Sequence, residues 1–336
     1  MKKYFIFAAV ALVALCNVSC SSSDDDDEPF NPTVKYDEPA AASAATAFAI
    51  PTASQPTATD GTNTTKLQQV DITESGKTVV KVDFNGSAKY LTFDSKYSKE
   101  GNKEIYKLFK DNVQKGKIES TTAAATSRRS LNLGNLKITL VVEIPNENGT
   151  VTTANFGEQT VSDAQIIAQT VTATTNAVNL CRTWTIETMT MTLKDKKAPN
   201  TSSITDCTVN VDGGNLKELA DKAQENKAGL TDKEYNDLCK YVKGITLTKA
   251  GQLSIEYSTG LTDACQWSWG NKDETVVTIK SEKGEDFGNK FLNDNSKIAV
   301  KFYEGGKAHF SVTTTIDNRD GGNNKYFDAT IDFTLK

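Results

Sequence analysis

Apolar and polar residues alternate most regularly near the end of the chain, in residues 327–335. Aspartates and threonines there separate five apolar residues: Phe327, Ala329, Ile331, Phe333 and Leu335. A period of two places successive side chains on opposite faces of a strand, so this segment predicts a β-strand with one buried face. The same period recurs in residues 253–257, 298–302 and 310–316. Glycine turns at residues 249–251 and 304–307 separate these strands, which favours an antiparallel meander.

A second group of strands is predicted in the first half of the chain. Runs rich in β-branched and aromatic residues occupy residues 66–73, 77–84, 88–93, 136–144 and 150–156. Residues 103–113 fit either a helix or a buried strand, because their apolar positions satisfy both periods. We therefore expect a mainly β protein with two antiparallel lobes. The first covers residues 66–165 and the second, a barrel or meander, covers residues 176–336.

A helical pair is predicted inside the second lobe, between strands near residues 204–211 and 245–247. Asn215 precedes Glu218 by three residues and Thr231 precedes Glu234 by three, the spacing of a capping box. We expect the helices to end at glycines 229 and 244. Two apolar stripes follow these starts, one at 216, 219, 220 and 223 and one at 235, 238, 239 and 242. Each stripe needs an apolar surface to cover it.

The first thirty residues have the layout of a secretory signal. Lys2 and Lys3 precede an apolar run over residues 4–15, which is too short to span a bilayer, and Ser19 precedes Cys20. Residues 1–19 resemble the signal peptide of a bacterial lipoprotein, in which the cysteine after the cleavage site is acylated. The resemblance implies lipidation at Cys20 and a membrane partner held through that lipid. The acidic run at residues 24–28 resembles the export tag of Bacteroides surface lipoproteins, which implies the cell-surface side of the outer membrane.

The segment from residue 20 to residue 65 is rich in alanine, threonine, serine and proline. Such a composition offers little apolar surface to offset the entropy lost on ordering the chain. We expect an acidic export tag followed by a disordered stalk over these residues.

The second lobe resembles the lipocalin-like domains found in Bacteroides lipoproteins. The resemblance rests on residues 180–186, with Trp184, and on residues 245–257 followed by the Cys265-Gln266-Trp267-Ser268-Trp269 segment. It implies a barrel that binds a ligand.

Trp184, Trp267 and Trp269 are the three tryptophans of the chain. They are the candidate ligand-binding residues, because a flat aromatic face suits both apolar molecules and sugar rings. The competing interpretation places them in the barrel core.

Four cysteines of the second lobe are candidates for disulfides, since an exported chain meets an oxidising environment: Cys181, Cys207, Cys239 and Cys265. Four cysteines allow three pairings, and the sequence does not choose between them. The cysteines are too far apart for a C-x-x-C motif, and the chain has a single histidine, His309, so we expect neither a metal site nor another cofactor.

The sequence contains no catalytic motif that we recognise, neither a nucleophile elbow nor a phosphate-binding loop. His309 has the parity of polar neighbours on its strand and is expected on the solvent face. The net charge of −5 argues against nucleic acid as a partner. The sequence thus favours a surface lipoprotein that binds a small apolar molecule or a glycan without catalysis. Adhesion or assembly through the outer surface is the alternative, and a hydrolase with two carboxylates comes third.

Overall fold

The computed structural model describes residues 46–73, 76–122, 133–145, 150–167, 174–197, 201, 203–226, 241–280, 297–317 and 325–336. The chain divides near residue 170 into two compact units, called here the N-terminal and the C-terminal unit. Both consist mainly of antiparallel strands, so the predicted fold class is confirmed. The signal segment, Cys20 and the acidic run lie outside the described residues.

The N-terminal unit is an antiparallel barrel. Its strands are β1 (Thr46–Ala49), β2 (Thr57–Asp60), β3 (Asn63–Ile72), β4 (Lys77–Phe84), β5 (Ser87–Glu100), β6 (Lys103–Lys110), β7 (Val113–Thr122), β8 (Leu133–Pro145) and β9 (Val151–Ile167). β1 and β2 pair with opposite ends of β3 and share one place in the sheet. From β3 onwards each strand pairs with the next. β1 also pairs with β9 and closes an eight-stranded ring.

The described part of this unit starts at Thr46 with a strand, so the expectation that the stalk is disordered as far as residue 65 is wrong for residues 46–65. Phe48 and Ile50 are buried in the barrel core, and Thr65 is also buried. β1 gains this burial by pairing with β3 and β9, whose residues come much later in the sequence. The composition of residues 20–65 gives no information about partners so far away in the sequence.

Strand pairing also decides the structure of residues 103–110, whose apolar spacing fitted both a helix and a strand. Residues 103–110 form β6, with Tyr106 and Leu108 in the core. The neighbouring strand β5 extends to Glu100, well beyond the predicted end at residue 93, because its second half pairs with β6. β7 was not predicted.

The C-terminal unit is a second antiparallel barrel. It contains β10 (Thr183–Trp184), β11 (Ile186–Asp195), β12 (Cys207–Asp212), β13 (Val242–Leu247), β14 (Gln252–Tyr257), β15 (Thr262–Trp269), β16 (Val276–Lys280), β17 (Lys297–Tyr303), β18 (Lys307–Asp317) and β19 (Tyr326–Leu335). β10 and β11 are one strand interrupted at Thr185. β10 pairs with β13, the strands from β13 to β19 pair in order, and β19 returns to β11. This ring is a lipocalin-like barrel, and β12 pairs with β11 beside it.

The described residues of this unit include two α-helices, α1 (Thr175–Leu180) before the first strand of the barrel and α2 (Leu216–Glu225) after β12. The side-chain oxygen of Asn215 accepts a hydrogen bond from the Glu218 backbone N–H at 3.3 Å, which confirms the predicted cap of α2. The predicted apolar stripe of α2 is buried: Leu216, Leu219, Ala220 and Ala223.

The predicted second helix differs from the structure at its C-terminal end. Residues 231–240 lie outside the described residues. Val242 and Gly244, which we expected at the end of that helix, lie instead in β13. Gly244 has close neighbours there, since a Cβ atom at this position would lie 3.3 Å from the Trp184 backbone oxygen. Cross-strand pairing with β10 and β14 outweighs the helical spacing of these residues.

Candidate functional site

One end of the C-terminal barrel is covered by α1, and we call it the α1 end. The Asn176 side-chain amide of α1 donates a hydrogen bond to the Glu274 backbone oxygen, at 3.3 Å, in the turn between β15 and β16. The Thr174 hydroxyl, which caps α1, also donates to the Glu274 carboxylate. Ala177 and Leu180 on the inner face of α1 are buried in the barrel core. The helix therefore packs against this end of the barrel.

Trp184 belongs to the core at the α1 end. Its side chain is 0% exposed, and its indole N–H donates to the Leu180 backbone oxygen at 3.0 Å. The Phe310 ring meets the indole edge-on, with ring centroids 6.0 Å apart, and Phe302 stacks beside it at 6.4 Å. Every polar and apolar part of this tryptophan thus has a partner within the protein. The structure favours the core interpretation for Trp184.

Arg182 covers Trp184 on the outer side of the same end. Its guanidinium carbon lies 3.8 Å from the centroid of the indole ring, and the group donates a hydrogen bond to the Gly306 backbone oxygen. Gly306 lies in the turn between β17 and β18. Burial lowers the pKa of the Arg182 guanidinium from its usual range. The arginine thereby joins the first strand of the barrel to a distant turn.

Trp267 and Trp269 point inward from β15, also toward the α1 end. Trp267 is 3% exposed, and its indole N–H donates to the Thr248 backbone oxygen at 3.1 Å. Trp269 is half-buried and meets Trp267 edge-on, with centroids 5.5 Å apart. The indole N–H of Trp269 is buried and has no hydrogen-bond partner among the described residues. Of the three tryptophans, only Trp269 combines partial exposure with an unused donor.

The opposite end of the barrel, called here the distal end, carries a different polar group. It holds the turn at residues 258–261 between β14 and β15. The Tyr257 hydroxyl donates to the Asp263 carboxylate at 2.9 Å. Asp263 pairs with Ile255 in the sheet and so shares its inward face. Ile255 and Tyr257 belong to the buried core, whereas Asp263 is half-buried.

An inward carboxylate in an apolar barrel is costly unless it is hydrogen-bonded, because a charged group loses its hydration on burial. Tyr257 supplies one hydrogen bond, and partial exposure at the distal end limits the loss of hydration. Ligand sites in such barrels combine apolar walls with a few polar groups that orient the ligand. The Tyr257–Asp263 pair has this character.

Sequence reasoning missed this pair, although a signal was present. Asp263 has the same parity as Cys265 and Trp267, so an alternating strand that buries those two residues also places the aspartate inward. The sequence analysis named the two tryptophans of this strand as candidate binding residues and did not name Asp263.

Three of the four candidate disulfide cysteines fall within the described residues, and no two of these three are bonded to each other. Cys181 and Cys265 are buried, and Cys207 is half-buried. Burial raises the pKa of the Cys207 thiol. Cys239 lies outside the described residues, so the disulfide framework stays a prediction.

His309 lies on the outer face of β18, opposite Lys301 and Thr334. Its Nε2 atom is 3.4 Å from the nearer carboxylate oxygen of Asp332, and its side chain is 34% exposed. The described residues contain no group of three or more histidine, cysteine, aspartate or glutamate side chains able to hold a metal ion.

None of the helices in the described part of the chain has the length and apolar character needed to cross a bilayer. Comparison with known proteins gave no match: no family model fits the chain, and neither a curated protein nor a solved structure is similar to it.

Proposed function

We propose that this chain is an outer-membrane lipoprotein, anchored through Cys20 and exposed at the cell surface, that binds a ligand non-covalently in its C-terminal barrel. The ligand class is a small molecule with an apolar body and a hydrogen-bond donor or a cationic group. The observation that carries this proposal is the inward Tyr257–Asp263 pair at the distal end, 2.9 Å apart and beside a wall of buried apolar residues.

The choice of the distal end follows from the other end of the barrel. There the indole N–H groups of Trp184 and Trp267 both donate to backbone oxygens, and Arg182 lies over the Trp184 ring, so a ligand would have to displace these contacts. At the distal end Asp263 is half-buried on the inward face, where its carboxylate already accepts a hydrogen bond from Tyr257. A charge-assisted hydrogen bond to a carboxylate is about twice as strong as a neutral one, which suits the recognition of an amine or a hydroxyl.

A binding role accords with the chemistry of the described residues. The single histidine is on the outer face beside Asp332, away from the inward pair. The Tyr257–Asp263 pair can orient a ligand but has no imidazole beside it to relay a proton. Its chemistry therefore favours binding over a histidine-dependent reaction.

The experiment is a thermal-shift screen of the full-length protein, extracted in detergent. The probes share an alkyl body and differ in their head group: amine, hydroxyl, carboxylate or a neutral sugar. We expect the amine and hydroxyl series to raise the melting temperature, and Asp263→Asn to weaken the amine series by about tenfold, since a tenfold loss corresponds to one charge-assisted bond of about 1.4 kcal/mol.

Asp212→Asn is the matched control, because Asp212 is an exposed aspartate on β12. It should leave binding unchanged. If carboxylate heads bind as well as amines, or if Asp263→Asn and Asp212→Asn behave alike, the distal end is not the site. Binding lost in Trp269→Ala but kept in Asp263→Asn would move the site to the α1 end.

A further inference from the structure

Three lysines form a single rank across the outer face of the N-terminal barrel. Lys96 on β5 pairs directly with Lys107 on β6, and Lys107 pairs directly with Lys117 on β7. Lys96 and Lys107 are exposed, and Lys117 is partly exposed. We call these three residues the lysine rank.

Like charges placed directly opposite each other destabilise a sheet. The lysine rank contains two such pairs side by side, in strands whose register is fixed by the buried residues on their other face. A single carboxylate at one of these positions would turn repulsion into attraction. The arrangement therefore lowers the local stability of the sheet and concentrates positive charge on its outer face.

Of the three lysines in the rank, Lys117 alone has a carboxylate partner among the described residues, and the other nearby carboxylates pair with lysines outside the rank. Glu119 lies 2.5 Å from Lys117, Glu143 lies 2.7 Å from Lys115, and Glu158 lies 3.0 Å from Lys137. Asp94 on β5 pairs with Lys77 at 2.6 Å. Among the described residues, no carboxylate forms an ion pair with Lys96 or Lys107. These two ammonium groups are the uncompensated part of the rank.

An aromatic ring lies beside the rank on the same face. The Lys96 ammonium is 5.1 Å from the centroid of the Phe109 ring. Phe109 pairs with Asp94 and has the outward parity of Lys107, and it is half-buried rather than part of the core. A partly exposed aromatic ring can pack against the C–H groups of a sugar ring.

The spacing of the rank sets the geometry of its partner. Adjacent strands lie about 4.8 Å apart, so the three lysines cover about 10 Å perpendicular to the strands. An anionic polymer that runs across the strands, with charges at intervals near 5 Å, would meet the lysines in succession. A polysaccharide with a carboxylate or sulfate on successive sugars supplies both the charges and apolar sugar faces for Phe109.

We propose that the lysine rank and Phe109 form a docking surface for an anionic polysaccharide. Nucleic acid fits less well, because the charges along one strand of duplex DNA are about 3.4 Å apart along the helix axis, closer than the spacing of about 4.8 Å between the strands that carry the lysines. This surface lies in the N-terminal unit and does not depend on ligand binding in the C-terminal barrel.

The test measures binding of the full-length protein, extracted in detergent, to polygalacturonate, with neutral dextran and single-stranded DNA of equal length as comparisons. We expect binding to polygalacturonate that weakens with salt, and no binding to dextran. Lys96→Gln with Lys107→Gln should weaken the affinity at least tenfold. The matched control is Lys66→Gln with Lys272→Gln, which removes the same charge from two exposed lysines outside the rank; it should change affinity by less than twofold.

A third variant separates binding from folding. Lys107→Glu places an acid between two lysines, so it should abolish binding while the melting temperature stays the same or rises. A fall in melting temperature together with lost binding would show that the rank serves the fold instead. Absence of polygalacturonate binding, equal losses in the test and control pairs, or tighter binding of DNA would each overturn the proposal.

Discussion

Replacing Trp184 tests whether the tryptophan that opens the C-terminal barrel serves the fold or the ligand. Its side chain is 0% exposed and packs against Phe302, Phe310 and the Arg182 guanidinium. Truncation of a buried tryptophan to alanine typically costs about 3–5 kcal/mol. The loss should fall in the upper part of that range, because Arg182 also loses the ring over which it lies.

Trp184→Phe divides this cost into two parts. Phenylalanine keeps most of the packing but cannot donate to the Leu180 carbonyl. That carbonyl retains a hydrogen bond from the Arg182 backbone N–H at 2.9 Å, so it is not left without a partner. We therefore expect a loss of about 1–2 kcal/mol, which combines one hydrogen bond with a small change of volume.

Urea unfolding of the full-length protein, followed by tryptophan fluorescence, measures both changes. All three tryptophans lie in the C-terminal unit, so the signal reports on the unfolding of that unit. Trp269→Ala is the comparison, and its smaller burial should give a smaller loss. A loss below about 1 kcal/mol for Trp184→Ala would refute the core assignment, since no fully buried indole is removed so cheaply.

Three further predictions concern other parts of the chain. Cys20→Ala should move the protein from the membrane fraction to the soluble fraction and end acyl labelling, and continued membrane partition would contradict the lipoprotein assignment. In the folded protein, iodoacetamide should modify Cys207 before the buried Cys265. The rate at Cys207 should stay low until the pH passes its raised thiol pKa, because only the thiolate reacts; mass mapping that finds Cys265 modified first would exclude this order. Gly116→Ala should destabilise the N-terminal barrel by about 1–3 kcal/mol, because the added Cβ would lie 2.4 Å from the Thr139 backbone oxygen; an unchanged melting temperature would show that β7 and β8 can separate freely.

Much of the fold was predictable, because alternation fixes a strand wherever one face is buried. β19 follows its pattern throughout, and every inward residue of that strand is buried. The N-terminal cap and the apolar stripe of α2 were equally predictable, since both depend only on residues in or next to that helix. Elements that depend on distant partners were not. β1 is too short to predict alone, and β13 has a helical spacing that pairing overrides.

The candidate site was harder to predict than the fold. The sequence identified tryptophans as residues of interest but could not say that the partners of Trp184 and Trp267 are backbone oxygens on other elements. The alternation in the sequence also places Asp263 on the inward face, but only the hydrogen bond from Tyr257, seen in the structure, identifies that aspartate as a candidate binding residue. Chemistry that depends on two residues meeting across a turn needs the turn to be known first.

The short strand β1 has a mechanical consequence. It is the first strand of the described residues, and its four residues close the ring between β3 and β9. Tension applied from the N-terminal side reaches β1 before any other described strand. If the strand is peeled away, the ring opens at its seam and exposes the edges of β3 and β9, while the pairings from β3 through β9 remain. A pull from the N-terminal side of the described residues is thus borne first by one of the two shortest strands of this barrel.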